Sequence, residues 1–201
     1  FYAREALAAS KSYWDKLVER KDPRLHRIFC DAKGAQIKGA DDKALLMAPN
    51  GTADGIKNHY NTPVFVYSIS CPTLLMSYHE LLFLKAEALA RLGKTAEAEA
   101  ALKEAVVAAI ANAEMGLKSA VDYGLETSSE AITEKEAGEY FDANVKPLFT
   151  ANPLREVMIQ KYLAMLGAFG ESTECYNDIR RMKALNEDFI KLDNPKPFPL
   201  R

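Results

Sequence analysis

An all-α fold of helical hairpins joined by long irregular loops is the architecture this sequence predicts. Three observations carry it. Apolar residues recur at helical spacing through residues 3–20, 74–114 and 154–185. A Gly-Lys break at Gly93 divides the middle stretch into two helices with small residues on either side of the turn. Only one short run, residues 64–70, has the β-branched and aromatic character of an extended segment. The 201 residues are 48% apolar and 27% charged, an ordinary globular composition, so a packed core is expected. That length fits one domain or part of a larger one.

From the N-terminus, Leu7, Tyr13 or Trp14, and Leu17 with Val18 recur along one face, which predicts a helix over residues 3–20. Asp22-Pro23 ends it, because a proline pushes the residue before it out of the helical region. Residues 24–30 read as a short helix or turn. Residues 31–61 carry Gly34, Gly39, Pro49, Gly51 and Gly55 in a polar stretch, the composition of a loop. A structureless segment longer than about 15 residues is uncommon in a compact domain and is more often functional than decorative. Residues 64–70 then suggest a short strand.

The strongest helix covers residues 74–92, with Thr73 as candidate N-cap. After Gly93-Lys94, Thr95 is expected to cap a second helix running to about residue 114. Glu87 with Arg91, and Glu99 with Lys103, stand four apart in the favourable order, a pairing worth about 0.3–0.5 kcal/mol on an exposed face. Around Gly93 the packing positions are Leu82, Ala86 and Leu89 before the turn, then Ala98, Leu102 and Ala105 after it. Alanines let two helices approach closely while leucines fill the remaining gap, which is the tetratricopeptide arrangement. The register returns 77 residues later in Ile159, Leu163, Leu166, Gly170, Cys175, Ile179 and Met182. Leu163 and Met182 are larger than the template prefers, so this second hairpin is a degenerate unit. The offset exceeds two repeats of about 34 residues. The hairpins, at about 74–114 and 154–185, are therefore not neighbours in an uninterrupted array, and residues 133–149 predict one inserted helix between them.

Several chemistries leave no trace. The formal net charge is −2 and no Lys/Arg run exceeds a pair, so a phosphate-neutralising nucleic-acid surface has no footprint. Cys30, Cys71 and Cys175 are odd in number and form no C-x-x-C, which argues for free, buried thiols over a disulfide framework or zinc site. No stretch approaches the 18 or so apolar residues of a membrane span. His26, His59 and His79 lack metal-binding spacing, and His79 reads as a helix-face residue. There is no P-loop, dinucleotide fingerprint or nucleophile elbow, and no two carboxylates stand out as a glycosidase pair. No catalytic residue, metal or cofactor is expected.

Aromatic residues give the better lead. Tyr13, Trp14, Tyr60, Phe65 and Tyr67 gather in the first third, near the long loop. Flat rings suit the C–H faces of sugars, while Asn and Asp read hydroxyls. Asn58, Tyr60 and Asn61 have that mixed character and are the candidate ligand-binding residues. The plainer reading makes Trp14 and Phe65 core residues and the loop a solvated connection. Asp178 and Arg181, three apart on one helix, could pair, or an arginine could hold the C-terminal loop through its carbonyls.

Residues Tyr78, Glu80, Leu81, Phe83, Ala86, Glu87 and Ala88 form a phrase that resembles the opening of a hairpin in SusD/RagB-type nutrient-binding lipoproteins. Gln160-Lys161 and Tyr176-Asn177-Asp178 with Arg180-Arg181 match later phrases of that family, with Ile179 in place of a second aromatic. Asp22-Pro23-Arg24-Leu25 and the closing Phe198-Pro199-Leu200-Arg201 are also similar. In order, these cover about three-quarters of the chain. The resemblance implies a non-catalytic surface protein, anchored by lipid at the outer membrane, that binds glycans or other nutrients with a TonB-dependent, SusC-like transporter. It also implies that residues 1–201 are part of one such domain, truncated at both ends, with the anchor outside this chain. Ligand residues vary in the family, so none is carried over. The alternative is a tetratricopeptide scaffold for a protein partner, and a glycosidase is a third, weaker reading.

Overall fold

The computed structural model describes residues 8–30, 46–49, 60–125, 130–167 and 172–191. Asn58, Gly170 and most of the predicted loop lie outside these residues. The described part is predominantly helical, as the apolar periodicity predicts.

Helix α1, Lys11–Glu19, starts later than the periodicity suggests. Residues 8–10 are instead held in extended form: Lys11 N donates to Ala48 O at 2.8 Å and Ala48 N to Ala9 O at 2.8 Å. α1 buries Tyr13, Trp14 and Leu17. Asp22 then caps a 3-10 turn, Pro23–His26, its carboxylate accepting from Arg24 N at 3.0 Å. Strand β1, Phe29–Cys30, pairs antiparallel with β2, Thr62–Pro63. The strand expected at 64–70 is a 3-10 turn over Val64–Tyr67 instead. Its first amide donates back to Ile28 O at 2.9 Å, and Ile28 already belongs to the turn behind β1, so no extended partner remains to continue the ladder.

Helix α2, Tyr78–Arg91, begins at a different cap from the one expected: Ser77 Oγ, not Thr73, accepts from Glu80 N at 3.1 Å. Gly93, at φ +70°, closes the helix, with Gly93 N donating to Ala90 O at 3.1 Å and Lys94 N to Leu89 O at 2.9 Å. This pair of bonds is a Schellman closure and needs the left-handed residue that glycine supplies without strain. Helix α3, Thr95–Asp122, takes Lys94 as its N-cap residue, with no side-chain cap, so Thr95 is already helical. α3 runs 28 residues, beyond the expected end near 114, because Gly116, Leu117 and Ala120 continue its buried face. At 1.5 Å per residue it is about 42 Å long.

The inserted helix lies where residues 133–149 predict it, but in two pieces. Thr133 caps α4, Glu134–Tyr140, through a reciprocal capping box with Glu136. A π-helical turn, Phe141–Val145, leads into α5, Lys146–Ala151. Pro147 lacks an N–H and crowds the carbonyl four residues back, and the wider turn before it accommodates both. Asn152 then caps α6, Pro153–Ala164, accepting from Arg155 N at 3.1 Å. Helix α7, Ser172–Ala184, is the last described helix, and the turn of the expected second hairpin lies outside the described residues.

Two apolar clusters share α3 and α6. One packs Leu82, Phe83, Ala86, Ala98, Leu102 and Ala105 of the α2–α3 hairpin against Phe141, Phe149 and Val157. The other packs Trp14, Leu17 and Phe29 against Leu117, Ile159, Leu163 and Met182. Gly167, at φ +85°, follows α6 directly beneath the Phe65 ring; a Cβ there would lie 2.7 Å from a ring carbon. Trp14 is core, at 7% exposure, and Phe65 is half-buried against the second cluster, the plainer of the two sequence readings.

Candidate functional site

The loop candidates separate into different roles. Asn61 is buried, and its amide is engaged with the backbone: Oδ1 accepts from Leu46 N at 2.5 Å and Nδ2 donates to Cys30 O at 3.3 Å. Its own carbonyl accepts from Ala9 N at 2.7 Å and its amide donates to Leu46 O at 2.8 Å. Asn61 thus ties three chain segments together and is not turned toward solvent. Tyr60, its neighbour, is half-exposed. Asn58 falls outside the described residues.

Beside this junction opens a cleft of about 260 Å³. Tyr13 from α1, Phe29 from β1 and Tyr162 from α6 supply rings to it, with Pro63, Leu166 and Cys175 around them. The centroids of Tyr13 and Tyr162 lie 5.7 Å apart and those of Tyr13 and Phe29 6.4 Å apart. The Tyr13 hydroxyl donates to Leu163 O at 2.6 Å, which fixes the ring. Spacing in the sequence could not reveal Phe29 and Tyr162 as partners, since 133 positions separate them. Tyr162 read only as part of an apolar helix.

The titratable groups of the cleft stay neutral near pH 7. Burial, with Cys175 nearby, pushes the Tyr162 phenol up to about 12. Burial first, then the Asp178 carboxylate, pushes the Cys175 thiol up to about 12, so no thiolate nucleophile forms there. Burial also raises the Tyr13 phenol well above its ordinary value. Tyr13 and Phe29 are buried, so of the three rings only the half-buried Tyr162 is open to a ligand, and none of these groups is poised for proton transfer. A second cleft, of about 380 Å³, has mixed charge: Lys16, Arg155 and Lys191 line it with Glu19 and Asp188 around Phe189.

Of the signature residues on the last two helices, Gln160 and Lys161 are buried, while Tyr176, Asn177 and Arg180 are exposed. Arg181 pairs with Asp178 at 2.7 Å, as the i,i+3 spacing suggests, and also grips Glu87 of α2 with both terminal nitrogens. Lys161, buried on α6, reaches Asp178 at 2.7 Å. Glu87 also takes Arg91 at 2.8 Å, but it is buried, so the pair is no surface ornament. Glu99 and Lys103 each find other partners, Lys146 and Asp142. Arg180 stacks on Tyr176, 5.6 Å from the ring centroid. Among the described residues no group of three or more His, Cys, Asp or Glu is placed to hold a metal, and no helix is long and apolar enough to cross a membrane.

Comparison with known proteins decides the family. The SusD-like family model, described as "Starch-binding associating with outer membrane", matches residues 2–196. The chain belongs to the SusD-like family. A crystal structure of a SusD/RagB family protein from Bacteroides thetaiotaomicron VPI-5482 is similar at 53% identity and a TM-score of 0.86. The match covers 94% of this chain and 41% of that one, so the SusD-like chain described here spans well under half the length of its solved relative. No curated protein matches it. The resemblance and the all-α architecture read from the sequence agree with both comparisons.

Proposed function

We propose that the chain forms part of a non-catalytic glycan-binding protein at the outer-membrane surface, acting with a TonB-dependent, SusC-like transporter. The observation that carries this reading is the family match across residues 2–196, whose description names starch and the outer membrane. The site chemistry supports it. The half-buried Tyr162 gives a neutral ring face on which the C–H side of a sugar can lie, backed by the buried rings of Tyr13 and Phe29. Tyr60, and Asn58 two positions before it in the sequence, are the proposed hydroxyl-reading contacts. Asn61 serves by holding that segment in place.

Titration calorimetry with linear starch oligosaccharides at neutral pH tests the reading. Saturable binding is expected, without hydrolysis of the ligand on prolonged incubation. Tyr60→Ala is expected to weaken binding about fivefold to tenfold, equivalent to about 1–1.4 kcal/mol. Asn61→Ala instead lowers stability by about 1–3 kcal/mol, because backbone groups lose their buried partner. No heat from any glycan would overturn the function; wild-type affinity in Tyr60→Ala would overturn only the placement of the site.

A further inference from the structure

The two clefts lie along one groove. Tyr13 on α1 donates to Leu163 O on α6, the Lys16 ammonium stands 5.9 Å from the Tyr162 ring centroid, and Arg20 holds Glu156. Those pairings run α1 and α6 antiparallel, side by side. On α6, Arg155, Ile159 and Tyr162 recur at steps of four and three and so share one face. Tyr162 lines the neutral cleft, while Ile159 and Arg155 line the mixed-charge one. The helical rise puts Tyr162 and Arg155 about 10 Å apart along the groove. The Arg155 end has the chemistry of an anion site. Its lining holds three cations, Lys16, Arg155 and Lys191, against two carboxylates, in a chain of formal net charge −2. Of those carboxylates, Glu19 is already paired with Arg20 at 3.1 Å. Lys16 Nζ donates to Ser12 O at 3.1 Å and to Lys191 O at 3.4 Å, which ties residues 188–191 to α1. Arg155 and Lys191 are exposed, and neither side chain meets a carboxylate among the described residues.

We propose that this groove takes an acidic oligosaccharide, with a neutral sugar unit on Tyr162 and a uronate unit held by Arg155 and Lys191. The inference rests on the glycan-binding reading and names the class of glycan. A planar guanidinium offers a carboxylate two parallel N–H donors, and the neighbouring ammonium adds charge. Half-buried Phe189 supplies an apolar face for the sugar ring, and Asp188 accepts from its hydroxyls. A carboxylate among the cations therefore suits a sugar acid, which carries donors as well as an anion. A free amino acid would set its ammonium at Asp188 but leave the Tyr162 end of the groove unused. Lys16, bound to backbone carbonyls between the two ends, is a positioning residue.

Calorimetry on the whole gene product at neutral pH compares oligogalacturonate and oligoalginate with their methyl esters, which keep the rings and lose the charge. At least one acid is expected to bind about tenfold or more tightly than its ester at low ionic strength, a margin that shrinks as salt is added. Arg155→Gln should cut that margin to about threefold or less, and Lys191→Gln, a second exposed change, should narrow it as well. Lys118→Gln, on an exposed face of α3, should preserve it. Equal affinity for acid and ester in every pair, or a margin that survives in both groove variants, would overturn the acidic class; binding of starch oligosaccharides in the same samples would leave the glycan reading standing. Tighter binding of an amino acid or dipeptide than of any uronate would also overturn the proposal. No heat from any glycan, acidic or neutral, would overturn the glycan reading and this inference together.

Discussion

His79 shows how far a residue's surroundings can move its chemistry. The helical periodicity marks it as a helix-face residue, yet it is only 2% exposed. Burial, and after it the Arg24 cation, pulls its imidazole down to about 4 from an ordinary 6.5. The folded chain therefore resists a proton that the unfolded chain accepts. Stability is fully present above pH 6.5, falls as the pH drops from 6.5 toward 4, and levels off below that. The total effect is on the order of 3 kcal/mol. Urea unfolding between pH 4 and 7 should show this slope in the wild type, and His79→Leu should flatten it. Glu87 acts lower on the scale: burial alone would raise its carboxyl, but Arg181 and Arg91 outweigh that and hold it below the usual value. Its contribution is present above the unfolded value near 4.5 and disappears as pH falls through the lower folded one.

At the scale of elements, the α2–α3 hairpin depends on small residues at the crossing. Ala86, Ala98 and Ala105 are each fully buried, opposite Leu82 and Leu102. Enlarging one forces the helices apart or drives a side chain off its rotamer. Ala98→Leu should cost about 1–3 kcal/mol, while Leu102→Ala should cost about 3–5 kcal/mol through the cavity it leaves. Equilibrium denaturation of both variants checks the pair. This hairpin was legible because its contacts are local: the turn glycine sets the register and both partners lie within about a dozen residues of it. Its helix boundaries were less so. Ser77 displaced Thr73 as cap, and α3 outran its expected end because a second core lay under its last turns.

Over the whole molecule, buried charge joins the α1 region to α6. Arg20 Nε and Nη2 each donate to a Glu156 carboxylate oxygen at 2.9 Å, and both side chains are nearly inaccessible. Nearby, Asp22 accepts from Arg24 Nε at 2.9 Å and from the Tyr140 hydroxyl at 2.9 Å, binding the first turn to α4. Removing one partner leaves the other charged and buried. Glu156→Ala should therefore destabilise by about 3–5 kcal/mol, whereas the paired change Arg20→Met with Glu156→Leu should recover most of that loss. Thermal and urea unfolding of the single and double variants distinguish the outcomes. Lys161, Asp178, Arg181 and Glu87 carry the same logic across α6, α7 and α2.

The sequence by itself determined the helical class, the turn at Gly93, the inserted helix and the family resemblance. Each of these rests on spacing within one element, or on phrases whose order survives in the chain. Only the tertiary structure decided which polar residues face inward. Asn61 read as a sugar contact and proved to be a backbone clamp, while Phe29 and Tyr162 gave no sign that they would share a cleft with Tyr13. Those outcomes depend on segments far apart in sequence arriving at one place. Local periodicity marks the apolar face of an element but does not say which polar residues will be enclosed.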